Sequence, residues 1–212
     1  MRKGILFDLD GTLWDSSANV IAAWNDCIAR NSDLGLTFTR EQMKSYMGKT
    51  LEDIADLMFP MLPREERISM IRKCTDAEHD YLIAHPSQCY FPEERKTLET
   101  LSKEYIIAVV SNCQDGYIQI FLDQCGFGEL FTDFECAGRT GMSKGKNIKL
   151  VAERNGLTDI VYVGDTVLDG EAAREAGVPF IHAGYGFGSP DDFDARIMSF
   201  SELPAAVGKL LK

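Results

Sequence analysis

The stretch that most constrains this chain lies at its start: Gly4-Ile5-Leu6-Phe7-Asp8-Leu9-Asp10-Gly11-Thr12-Leu13-Trp14-Asp15. A short apolar run leads directly into two carboxylates two residues apart. In extended chain, residues i and i+2 point to the same side. Gly11 permits a tight turn and Thr12 supplies a hydroxyl. Two aspartates at the carboxyl end of a strand can hold a hard cation and leave one oxygen free to attack an electrophile. An apolar strand followed by a polar turn would explain the first few residues equally well. The full run Asp8-x-Asp10-Gly11-Thr12-Leu13 is much more specific.

The remaining pattern is one of alternating elements. Residues 3–8 read as a buried strand. Residues 16–30 read as a helix, because Val20, Ala23, Trp24, Cys27 and Ile28 recur at helical spacing, with Ser16 or Ser17 as a cap. Helical patches follow near 40–47, 50–58 and 64–84, broken by Gly48, Pro60 and Pro63. Residues 16–88 therefore read as an inserted, all-helical cap domain. Residues 1–15 and 89–212 form the catalytic core domain around it.

Beyond the insert, Pro92 opens a helix to about Ser102. Tyr105 to Val110 is a β-branched and aromatic run of the kind buried on both faces of a parallel sheet. Further strands are expected near 132–136, 160–163, 178–181 and 196–199. Helices are expected near 115–124, 146–155, 168–176 and from Glu202, with residues 138–145 as a loop. The fold class is α/β, a doubly wound parallel sheet of Rossmann-like type. Ligands of such sheets bind beyond the carboxyl ends of the strands.

Each polar cluster falls at such an end: Asp8 and Asp10, Ser111 and Asn112, and Gly164-Asp165-Thr166-Val167-Leu168-Asp169. Lys144 and Lys146 occupy the segment before a helix. The set suits phosphoryl transfer. One carboxylate attacks phosphorus, a second moves protons, and hydroxyl and ammonium groups hold the non-bridging oxygens. Taken alone, Ser111-Asn112 is an ordinary strand-to-turn transition. Asp165 and Asp169 alone also suit a helix N-cap and a first-turn acid.

In this order the four clusters resemble the signatures of the haloacid dehalogenase (HAD) superfamily, in its helical-cap, phosphoglycolate phosphatase-like subfamily. The resemblance covers the whole core. It implies Asp8 as a nucleophile forming an aspartyl-phosphate and Asp10 as general acid and base. It implies Ser111 and a lysine as phosphoryl binders, with Thr12 and Asn112 beside them. Mg²⁺ is the implied cofactor, held by Asp8, the Asp10 carbonyl and Asp165, with Asp169 direct or through water. Strands ending at Asp8 and Asp165 should then lie side by side. Lys144 and Lys146 compete for the lysine role; Lys144, placed in the loop, is preferred because it can reach back over the strand ends. Lys49, in the Gly48-Lys49-Thr50 break of the cap, is a further substrate-binding candidate, though it is equally suited to a solvated helix start.

The implied activity is that of a phosphatase acting on a small phosphorylated metabolite. A phosphosugar mutase shares the core motifs and is the nearest alternative. A dehalogenase needs no acid at Asp10. A receiver-type signalling domain would be shorter, uncapped, and phosphorylated on a later strand.

Composition narrows the partners. Of 212 residues, 45% are hydrophobic and 26% charged, as in globular chains, and the net charge of −11 argues against nucleic acid and anionic membrane surfaces. No apolar run is long enough to span a bilayer. The six cysteines form no C-x-x-C pair and are expected as reduced thiols in a cytoplasmic protein. The sequence fits a monomer or a homodimer. Neither a P-loop nor a dinucleotide fingerprint fits its glycines, and Gly184 to Gly188 is expected to border the site mouth. His79, His85 and His182 lack metal spacing and are expected to be structural or on the surface.

Overall fold

The computed structural model describes residues 2–86 and 90–211. Cys89 and the expected junction between residues 88 and 89 lie outside the described residues. Six strands run parallel in the order β3-β2-β1-β4-β5-β6. They are β1 (Lys3–Phe7), β2 (Ile106–Ser111), β3 (Asp133–Cys136), β4 (Asp159–Gly164), β5 (Phe180–Ala183) and β6 (Ala195–Ile197). The apolar run at the chain start becomes the central strand, paired with β2 on one side and β4 on the other. Phe7 aligns with Val109 and with Val163, so the carboxyl ends of the three strands lie within two residues of one another.

Helices cover both faces of the sheet. One apolar cluster packs Ile5, Phe7, Val109 and Val163 against Trp14, Phe121 and Leu203. The other packs Leu6, Ala108 and Tyr162 against Ile148, Val151 and Ala173. Alternate residues of β1 thus feed opposite faces, as the strand period requires. Each large side chain so buried contributes about 1.5–3 kcal/mol.

Between β1 and β2 the described chain is helical: α1 (Ser17–Asn31), α2 (Arg40–Tyr46), α3 (Leu51–Met58) and α4 (Arg64–Ala84). These helices have an apolar cluster of their own, including Trp24, Ile28, Met43, Phe59 and Ile71. Capping fixes two of their starts: Thr39 and Gln42 form a reciprocal capping box, and Thr50 accepts from the Asp53 amide.

The remaining helices are α5 (Glu94–Leu101), α6 (Tyr117–Gln124), the one-turn α7 (Ala137–Thr140), α8 (Lys144–Arg154), α9 (Val167–Ala176) and α10 (Leu203–Leu210). Several boundaries differ from expectation: the expected loop 138–145 holds the one-turn α7, the last strand is Ala195–Ile197 rather than 196–199, and α5 and α6 begin two residues later than expected. Two further differences have a visible cause. Helix α8 starts at Lys144, not at 146, because Ser143 caps it by accepting from the Lys146 amide. Strand β5 starts at Phe180, not at Val178. The Val178 amide is taken by Ala173 O in the helix exit that Gly177 closes.

Candidate active site

Asp8 follows β1 directly, and its amide donates to Val163 O at 2.8 Å, so the sheet ladder fixes its position. The chain then winds into a turn in which the amides of Thr12, Leu13 and Trp14 all reach Leu9 O. Gly11 sits at φ +81°, and a Cβ there would come within 2.5 Å of Asp165 Oδ2. No other residue type serves both demands. The turn buries Asp8 and leaves Asp10 at the edge of a small cavity of about 50 Å³.

Asp8, Asp165 and Asp169 converge, with carboxylate oxygens within 4.8 Å of one another. Lys144 Nζ reaches Asp8 Oδ1 at 2.9 Å and Asp169 Oδ1 at 2.7 Å. Lys144 is therefore the lysine that meets the acids, while Lys146 is exposed. It does so from the first turn of α8 and not from a loop, which corrects the sequence expectation. Asp169 serves two tasks. Its Oδ2 accepts from the Thr166 amide and hydroxyl, closing the capping box of α9, while Oδ1 holds Lys144.

Asp165 is held from three sides. Its Oδ1 accepts from the Thr12 hydroxyl at 3.2 Å, and its Oδ2 accepts from the amides of Phe187 and Gly188. Thr12 is fully buried and spends its hydroxyl on this contact, outside the cavity lining. The glycine-rich segment comes close enough to reach Asp165 because it lacks side chains: a Cβ on Gly186 would lie 2.3 Å from Asp165 Cβ.

Electrostatics follow from burial. Loss of water and the charge on Asp169 push the Asp8 carboxyl up to about 6, against the pull of Lys144. Burial and the Asp8 charge push Asp10 up to about 7, while hydrogen bonds from Tyr117 and Ser16 draw it down. Burial likewise lifts Asp165 well above the usual carboxylate range. Burial alone would lower the Lys144 ammonium, but the charges on Asp169 and Asp8 outweigh it and raise it.

Asp8 Oδ2 is buried and has no hydrogen-bond partner. An unpartnered carboxylate oxygen beside two further carboxylates is costly unless a cation faces it. All donors in the cluster are oxygen, which suits a hard divalent cation such as Mg²⁺. The residues present therefore fit that ion.

The cavity is walled on one side by Asp10, Ser111 and Asn112, and on the other by residues of α1 to α4 and the Gly48-Lys49 break. Asn112 Nδ2 donates to Gly48 O at 2.8 Å, joining the two walls. Lys49 lines the cavity and is partly exposed.

The Haloacid dehalogenase-like hydrolase family model matches residues 5–183, which span the acids, Ser111 and Lys144, though not the Phe187 and Gly188 amides. The chain belongs to this family. Among curated relatives of this hydrolase, it is 27% identical over 241 residues to a phosphoglycolate phosphatase of Escherichia coli O157:H7, covering 97% of this chain and 92% of that one. It is 28% identical over 194 residues to a phosphoglycolate phosphatase of Xylella fastidiosa, covering 90% and 83%. In fold it is similar to a haloacid dehalogenase-like family hydrolase of Streptococcus pneumoniae, with TM-score 0.78, 23% identity, and coverage of 96% and 97%.

Several residues of this hydrolase's site were not singled out in the sequence as site residues. Ser16 was expected as a helix cap. Its hydroxyl instead contacts Asp10 Oδ1 at 3.1 Å, and α1 has no side-chain cap. Tyr117 donates to the same oxygen at 2.9 Å, and nothing in its helical pattern announces that. The amides of Phe187 and Gly188 were signalled by glycines without a visible target. Glu78 carried a clearer signal: it is an acid on the buried stripe of α4 with Ile71, Cys74 and Leu82. Of the histidines, His182 is buried without a hydrogen-bond partner for either ring nitrogen, and His85 stacks on Tyr81.

Proposed function

We propose that this hydrolase is a Mg²⁺-dependent phosphatase, acting on a small phosphorylated metabolite through an aspartyl-phosphate on Asp8. The observation that carries the reading is the unpartnered, buried Asp8 Oδ2, on a carboxylate whose other oxygen is held by Lys144, two residues before Asp10 at the cavity edge. Asp8 would give one carboxylate oxygen to the cation and attack phosphorus with the other, while Lys144 holds the group in place. Lys144 and Ser111 bind the non-bridging oxygens as charge shifts toward them. Asp10, lifted toward neutrality, holds the proton that the leaving alcohol needs and takes one from water in the second half-reaction. Asp8, the Asp10 carbonyl and Asp165, with Asp169 in support, would hold Mg²⁺, which would supply the positive charge that lets two anions meet.

We read residues 16–88 as a cap that closes over the substrate and keeps bulk water out, with Lys49 and Asn112 at its contact with the core. The five described cysteines are free thiols, the state a reducing compartment such as the cytoplasm maintains. No described helix is long and apolar enough to cross a membrane.

The test is phosphate release from a panel of phosphomonoesters, with Mg²⁺ or with chelator, on the wild type and Asp8→Asn. Release is expected only with the metal and only from the wild type, while circular dichroism shows the variant folded. Substantial turnover by folded Asp8→Asn removes Asp8 as the nucleophile. Full activity in chelator contradicts the ion-binding set.

A further inference from the structure

Glu78 is 3% exposed and yet lines the same cavity as Asp10 and Ser111. It projects from α4, the longest helix between β1 and β2. Its Oε2 accepts from the Trp24 indole of α1, and its Oε1 accepts from Gln114 Nε2, beyond β2, at 2.9 Å. No lysine, arginine or histidine among the described residues forms an ion pair with it. A carboxyl group offers about four acceptor sites, and two are used. Burial without a cation is expensive and raises the carboxyl to about 8.

We propose that Glu78 selects the leaving group, binding a hydroxyl of an uncharged polyol-type alcohol in preference to a carboxylate. The proposal rests on the phosphatase reading above and narrows its substrate class. A ligand hydroxyl is donor and acceptor at once, so it meets Glu78 whether or not the acid holds its proton. A ligand carboxylate only accepts. It meets the protonated form alone and brings another negative charge beside Asp10. Apart from Lys49 and the Tyr46 hydroxyl, the cap wall is apolar, with Val20, Met43, Met47 and Ile54, and suits a short carbon chain. Lys49 is the one cation on this wall, and it offers the competing outcome of capturing a carboxylate.

The position of Glu78 also explains why a polar group sits on an otherwise apolar helix stripe. A strut between helices needs no ionisable group, since two donors could be met by an amide. Glu78→Gln can keep both contacts by turning the Gln114 amide, so it is the variant best placed to fold. Glu78→Leu removes the polar function outright.

The experiment measures kcat and KM for glycerol 1-phosphate, for 2-phosphoglycolate and for an aryl phosphate, on the wild type and both variants, with Mg²⁺. The wild type is expected to favour the glycerol ester over the glycolate ester by about tenfold or more in kcat/KM. Glu78→Leu is expected to erase that ratio through a higher KM for the glycerol ester, and Glu78→Gln to narrow it through a better KM for the glycolate ester. A wild type that prefers the glycolate ester overturns the inference. So do variants that slow all three esters by one factor, which marks a purely structural strut. In both cases Mg²⁺-dependent hydrolysis of the aryl ester leaves the phosphatase reading standing. Release from no ester overturns both.

Discussion

At the scale of single residues, the site is a problem of buried charge. Asp10 Oδ1, the Ser16 hydroxyl and the Tyr117 hydroxyl form a triangle with edges of 3.1, 2.9 and 2.6 Å. Two hydroxyl protons cannot serve three edges, so the triangle accommodates a proton on Asp10. The Tyr117 hydrogen bond favours the ionised acid and lowers its pKa. Tyr117→Phe keeps the ring against Trp14 but removes that donor. An acid that works protonated loses activity as pH rises through its pKa. The basic limb of the kcat profile is therefore expected to move to higher pH in Tyr117→Phe, with kcat reduced by about tenfold. A limb that stays in place would separate Asp10 from the proton step. Lys144 invites a second substitution. Its ammonium spans two carboxylates at 2.9 and 2.7 Å inside a fully packed site. An arginine keeps the charge but is a planar fork too large for that space. Lys144→Arg is expected to lose activity nearly as completely as Lys144→Met. Lys144→Met also leaves buried acids unpaired, at a cost of about 3–5 kcal/mol read from denaturant unfolding in chelator. Recovery of activity with arginine would show that charge alone suffices.

At the scale of elements, the turn after β1 and the loop after β5 meet on Asp165. Gly186→Ala places a methyl 2.3 Å from the Asp165 Cβ. The loop must retreat and take the Phe187 and Gly188 amides with it. Positioning groups behind a metal ligand are worth about 10–100-fold in affinity. The Mg²⁺ concentration for half-maximal activity is therefore expected to rise by at least tenfold in Gly186→Ala, with little change in secondary structure. An unchanged requirement would show that these amides do not matter to the acid. This loop also shows what the sequence leaves hidden. The strands were legible because β1, β2 and β4 are continuous apolar runs, and the acids were legible because each ends such a run. The start of α8 was not. Gly145 reads as loop, but a Cβ there would strike Glu175 at 2.4 Å, so the glycine lets α8 pack tightly on α9. The first large apolar residue of α8, Ile148, comes four residues after its true start. Tyr117 and Ser16 were hidden for another reason. Ser16 reads as an ordinary helix cap although its partner is six residues away, and no local pattern records a contact between residues 10 and 117.

At the scale of the whole molecule, the folded chain carries more buried acid than buried base. Burial lifts Asp8, Asp10, Glu78, Glu94 and Asp165 above the usual carboxylate range. Lys144 is the only buried lysine among the described residues. In the unfolded chain these acids ionise at their ordinary values near 4. Between there and their folded values, the folded state binds more protons than the unfolded state. Stability then falls as pH rises, the reverse of the usual behaviour of paired carboxylates. For Glu78 the window runs from about 4.5 to about 8, and for Asp10 from 3.8 to about 7. A cation bound to Asp8 and Asp165 favours their ionised forms and binds only the folded chain, so it acts against this loss. The melting temperature in chelator is therefore expected to fall steadily from pH 5.5 to pH 8.5. With millimolar Mg²⁺ the fall should be shallower, and the stabilisation by the metal should grow with pH. The Glu78 carboxyl is not among the groups assigned to the ion, so Glu78→Gln should flatten the part of the slope that Mg²⁺ leaves. A melting temperature that rises with pH in chelator would mean these acids are ionised in the folded state. That would remove the protonated Asp10 that the proposed mechanism uses for leaving-group departure.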